Sequence, residues 1–126
     1  MQGNSYFQKN QYDLAIEDYN KAIILEPFHF EAYGNRGNAY KRKKQYDRAL
    51  EDYNKAIDIE PQNAIDHYNK ACLYSEMNNA EEACKWLKRS VEKGFNNWNH
   101  IKTDRDLDNI RSAPCYKEVV AGKGTN

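Results

Sequence analysis

Apolar and small residues recur along this chain every three or four positions, the period of a helix with one buried face. In the middle of the chain they fall at Tyr33, Gly37 and Tyr40, then at Tyr46, Ala49, Leu50, Tyr53, Ala56 and Ile57. The pattern predicts helices over about 3–9, 13–25, 30–42, 47–59, 64–77 and 80–93. Pro27 and Pro61 close two of the units, because proline cannot extend a helix and disfavours helical backbone in the residue before it. The breaks are short, as at 43–45, so successive helices should pack antiparallel. Gly37 and Ala39 are expected to face Ala49 and Ala56, which lets two axes approach closely, with the tyrosines filling the rims.

The pattern also repeats. Residues 11–27 read QYDLAIEDYNKAIILEP and residues 45–61 read QYDRALEDYNKAIDIEP, an offset of 34. They differ only at Leu14/Arg48, Ile16/Leu50, Ile24/Asp58 and Leu25/Ile59. A repeat of this length marks an array of stacked helix pairs, which presents surface for contact and rarely does chemistry alone. Composition changes the picture in three ways. Ten tyrosines stand among few Leu, Ile and Val residues, so the apolar contacts must rest on Tyr and Ala. The 19 basic and 19 acidic residues cancel, which removes the bulk attraction that nucleic acid or an acidic lipid surface would need. A mean hydropathy of −1.07 suits thin, surface-rich layers. No apolar run is long enough to span a membrane, and no charged-then-apolar leader follows Met1, so neither a span nor a secretory signal is expected. Cys72, Cys84 and Cys115 leave an odd thiol under any pairing. Cys72 and Cys84 are expected on neighbouring helices with different facings, so reduced thiols in a cytoplasmic location are the simpler reading. No Cys and His spacing matches a zinc site.

At Tyr33, Gly37, Tyr40, Ala49, Tyr53 and Pro61 the second unit resembles a tetratricopeptide repeat. The first matches at Gly3, Tyr6, Ala15, Tyr19 and Pro27. The third matches at Ala71, Tyr74, Ala83 and Leu87, with His67 in the leading aromatic place and no closing proline. The resemblance implies an all-α fold, a right-handed solenoid of three helix-turn-helix units over 1–29, 30–63 and 64–93. Where the family carries Leu before Gly, this chain has Gln2, Arg36 and Lys70; their stems are expected to lie on the helix pair while the heads reach water. The first unit is cut short relative to the family, which points to a fragment or to a half-helix supplied by another chain. Residues 94–120 resemble a C-terminal cap, which a repeat array needs over its last apolar face. Gly94 should end the preceding helix in the left-handed conformation. Trp98, Ile101, Leu107, Ile110, Tyr116 and Val119 are the expected contacts onto the third unit. Thr103-Asp104 and Ser112-Ala113-Pro114 read as turns or helix starts. Residues 121–126 are expected to be disordered.

The resemblance also implies a concave groove lined by the first helix of each unit, where partners dock as peptides. Carried over residue by residue, that groove shows Asn4, Phe7 and Gln8, then Glu31, Asn35, Asn38, Lys41 and Arg42, then Ile65, Tyr68, Asn69, Cys72 and Glu76. The asparagines are the informative set, since a side-chain amide offers donors and an acceptor to any peptide backbone. Some members of the family clamp the terminal carboxylate of chaperone tails with two asparagines and several basic residues. Asn4 and Asn35 stand on the asparagine places, but Ile65 and Asn69 stand where third-unit basic residues belong. Without those charges the charge-assisted bonds are lost, so that specificity is rejected and generic peptide binding remains. The run Lys41-Arg42-Lys43-Lys44 either meets an acidic peptide or, the better reading, complements a helix C-terminus. Asp13, Glu17, Asp18, Asp47, Glu51 and Asp52 are read as a solvated outer face.

An enzyme reading finds little. His29, His67 and His100 are scattered away from any nucleophile setting. Asp104, Asp106 and Asp108 alternate, yet the loop lacks the glycine and bidentate glutamate of a calcium loop. No phosphate-binding glycine loop occurs. The sequence is therefore read as a non-catalytic protein-interaction module with no cofactor. Its partner is a protein or peptide, not nucleic acid or membrane. The alternatives are self-association through the truncated first unit, domain joining in a longer protein, or service as a regulatory arm of an enzyme outside this segment.

Overall fold

The structure, a computed structural model, describes residues 9–121 and 123. Every regular element among the described residues is helical, so the fold is all-α. The chain divides into two compact units, Met1–Pro61 and Gln62–Asn126. The first holds α1 (Lys9–Leu25), α2 (Phe30–Arg42) and α3 (Tyr46–Ile59). The second holds α4 (Ala64–Glu76), α5 (Ala80–Glu92), α6 (Trp98–Thr103), a 3-10 helix (Arg105–Ile110) and α7 (Pro114–Val120).

The turns inside the helix pairs show how sequence sets local structure. Lys44 (φ 64°) and Asn78 (φ 61°) are left-handed, at equivalent places of successive repeats. Each lets the next backbone N–H reach back to a carbonyl five residues earlier, Gln45 to Tyr40 and Asn79 to Tyr74, both at 2.9 Å. Gly94 (φ 112°) does the same after α5, with Phe95 N bonded to Ser90 O at 2.9 Å. Asparagine starts three of the helices. Asn63 accepts from Ile65 N at 2.9 Å, Asn79 from Glu82 N at 3.2 Å and Asn97 from His100 N at 3.1 Å. His29 caps α2 through Nδ1, and Pro114 opens α7 at a position where no N–H is needed. One expected turn is absent. α1 runs unbroken through residues 9–13, where a break between two helices was predicted. The predicted helix over 3–9, and with it Gly3 and Tyr6, lies almost wholly outside the described residues. Of the tail, 122 and 124–126 also lie outside, while Lys123 N bonds Val120 O at 3.0 Å in a turn.

In the first unit, α2 and α3 meet through Gly37. A Cβ placed there would stand 2.8 and 2.9 Å from Tyr53 Cε1 and Cδ1, and 3.2 Å from Asp52 Cβ. Gly37 therefore opposes a tyrosine ring rather than the alanines, and Tyr53, at 0% exposure, is central and not on a rim. Arg36 corrects a second expectation. Its head is only partly exposed and is held between α1 and α3. Nε and Nη2 donate to the two Asp52 oxygens at 2.8 and 2.7 Å, and Nη1 donates to Asn20 Oδ1 at 2.8 Å. Asp52, assigned from the sequence to a solvated face, is likewise buried. This bidentate bond raises the Arg36 guanidinium above its ordinary range. Lys70 is buried too, its Nζ 3.5 Å from the centre of the Trp86 ring. In both units the long cation meets a partner sixteen residues on.

The second unit has a core of Tyr68, Ala71, Cys72, Ala83, Cys84, Leu87, Ile101, Leu107, Ile110 and Tyr116. Trp98 and Val119 pack against it, half-buried. Arg111 holds the last turn, donating to Ile101 O at 3.1 Å and to the Tyr116 hydroxyl at 2.7 Å. The cysteines do not remain three thiols. Cys84 of α5 and Cys115 of α7 form a disulfide, and Cys72 stays outside it, buried. Pairing across 31 residues needed α7 to fold back on α5, which no local pattern announces.

Candidate interaction surface

The residues expected to line a groove are treated unequally by the structure. Asn4 lies outside the described residues. On α2, Asn35 and Arg42 are exposed. Asn38 is half-buried, and its amide oxygen accepts from the Tyr53 hydroxyl, so it serves the helix pair. Lys41 is buried at 4% exposure. The basic run is thus split: Lys43 pairs with Asp13 of α1, while Lys41 and Arg42 sit in the last turn of α2, where cations complement the helix dipole.

On α4 the apolar side chain of Ile65 is 58% exposed, and Asn69 is half-buried. Tyr68 and Cys72, also expected in the groove, belong to the core instead. The Tyr68 ring stacks on Phe95 at 4.4 Å, and its hydroxyl donates to Asp104 Oδ2 at 2.6 Å. Cys72 Sγ lies 3.8 Å from the same oxygen. The segment after α5 covers this side of α4, so neither side chain is presented to a partner. Burial first, then the neighbouring Cys72 and Asp104, pushes the Tyr68 hydroxyl far up from its ordinary value. The sequence held a signal for this: two aromatics, Phe95 and Trp98, one short helix ahead of an aspartate that caps the next.

Asp104 is the hub of that corner. It caps the 3-10 helix by accepting from Asp106 N at 2.9 Å, and its other oxygen lies 3.2 Å from His100 Nε2. Asp104, Asp106 and Cys72 bring ligand atoms within 4.8 Å of one another. Asp108 is apart from them and pairs with Arg111 at 3.2 Å. The Asp104 carboxylate is thus committed to capping the 3-10 helix and to Tyr68. Of the histidines, His67 is buried and stacked 5.6 Å from Trp86, and His29 is a helix cap.

No described helix is long and apolar enough to cross a membrane. Exposed apolar side chains gather at the end of α1 and just beyond it: Ile24 at 77%, Leu25 at 81% and Phe28 at 76%.

Three family profiles match the chain, tetratricopeptide repeat over residues 30–63 and 52–85 and TPR repeat over residues 3–44. Among curated proteins, a chloroplastic protein of Arabidopsis thaliana is 25% identical over 57 residues. That match covers 45% of this chain and only 17% of the relative. The helix pairs, the glycine under Tyr53 and the repeated left-handed turns agree with profiles that together run over residues 3–85, and the chain belongs to the tetratricopeptide repeat family.

Proposed function

We propose that this chain is a non-catalytic protein-interaction module that takes a peptide or helix of a partner on the first helices of its repeats. Repeats of this family generally mediate protein–protein contact. The observation that carries the reading is the pair Asn35 and Asn69, the same amide at a 34-residue interval, one exposed and one half-buried. An amide so placed on α2 and on α4 pairs with peptide backbone of any sequence. Exposed Ile65 adds an apolar contact, and Arg42 adds a cation. Residues 94–120 serve as the cap of the third repeat. The test is a peptide-array screen followed by calorimetry on the strongest peptide. Asn35→Ala and Asn69→Ala should each weaken binding by about 1–3 kcal/mol, the cost of leaving buried backbone groups unpaired. Unchanged affinity in both variants would remove the amide reading.

A second reading has its own observation. The apolar group of Ile24, Leu25 and Phe28 favours self-association through the first unit. Light scattering over a concentration series decides it, because a monomer throughout excludes this route. The cytoplasmic expectation rested on three reduced thiols, and the disulfide withdraws that support.

A further inference from the structure

We propose that the Cys84–Cys115 pair is a thiol-exchange site at which a dithiol reductant unlocks α7 from the second unit. Three observations point there. First, α7 has only seven residues, too few for a helix to persist in water without packing. Second, its hold is narrow: Tyr116 is the one buried residue of α7, and Cys115, Val119 and Val120 are half-buried. Third, the covalent link sits at the start of α7 and ties it to α5, adding to the packing of Tyr116 and its bonds to Arg111 and Ile101 in keeping the element from swinging out about residues 111–113. What α7 covers is apolar. Ala80, Cys84, Leu87 and Val91 follow one another along α5 at helical spacing and belong to, or pack on, the core that Tyr116, Val119 and Val120 complete.

The chemistry balances with one named reactant. A thiolate of the dithiol attacks a sulfur of the pair, Cys115 Sγ being on the less buried residue, and the Cys84 thiolate leaves. The second thiolate of the reductant displaces Cys115, giving a cyclic disulfide on the reductant and two cysteine thiols, with the two protons passing from reductant to protein. An oxidised dithiol of the same class reverses the sequence. Cys72 takes no part, being outside the disulfide and buried in the core.

The experiment compares backbone hydrogen exchange in the oxidised chain and in the same chain under dithiothreitol, with iodoacetamide mass labelling to count the thiols opened. Two labels should be gained on reduction. The amides of residues 116–120 should exchange at least about tenfold faster, as expected for local opening of α7, while those of α2 and α3 keep their rates. Reoxidation should restore protection. The variant Cys84→Ser with Cys115→Ser should match the reduced chain without any reductant. Three results overturn the proposal: no labels gained under native conditions, unchanged exchange of α7 after reduction, or equal loss of protection in α4 and α5. The last would make the disulfide a staple for the whole unit.

Discussion

Replacing Arg36 by Met tests whether the buried ion pair holds the first unit together. Met keeps the stem volume and removes the charge, leaving the Asp52 carboxylate, 6% exposed, without its bidentate partner. Removing one partner of a buried pair costs about 3–5 kcal/mol. Arg36 itself is 21% exposed, so water can enter in its place and the lower end, about 3 kcal/mol, is expected. Domains hold only about 5–15 kcal/mol in total. With a urea slope of about 2 kcal/mol/M, the midpoint followed by circular dichroism should fall by roughly 1.5 M at pH 7. A second signature separates charge from shape. Adding Asp52→Asn to Arg36→Met removes the stranded carboxylate and should recover part of the deficit at pH 7. A loss under about 1 kcal/mol, or no recovery in the double variant, would refute the ion-pair argument.

Gly37→Ala should destabilise by about 1–2 kcal/mol, because strain against the buried Tyr53 ring at 2.8 Å outweighs the helix-propensity gain of about 1 kcal/mol. A variant more stable than the native chain in urea would show that the ring gives way. Tyr68 predicts an alkaline effect. Its folded pKa is raised, so above about pH 10 the unfolded chain releases a proton that the folded chain keeps, and stability falls as pH rises. Tyr68→Phe should cost about 1–3 kcal/mol at pH 7 through the lost bond to Asp104, yet lose less between pH 9 and 11 than the native chain in thiol-free urea titrations. Parallel losses in the two proteins over that range would rule out Tyr68 as a source of the alkaline slope.

The period of apolar residues and the 34-residue repeat determined the helices, their pairing in sequence and the family. Those are local and near-neighbour properties: a buried face needs a fixed spacing, and a turn needs a residue that accepts left-handed backbone. Gly94 and Pro114 each announced their roles, because glycine frees the backbone for a left-handed turn and proline restricts it by itself. The residues proposed for the groove divide. Asn35 and Ile65 are exposed, whereas Tyr68 and Cys72 are taken up by Asp104, 36 and 32 residues later. Arg36 and Lys70 were read as surface stems because a cation next to water and a cation buried on a partner have the same local sequence; only the helix brought against them supplies Asp52 or Trp86. The disulfide is the same case, since nothing near Cys84 or Cys115 reports that α7 returns to α5. What the chain dictates one turn at a time can be read from its sequence, and what depends on which surface arrives opposite is decided by tertiary packing.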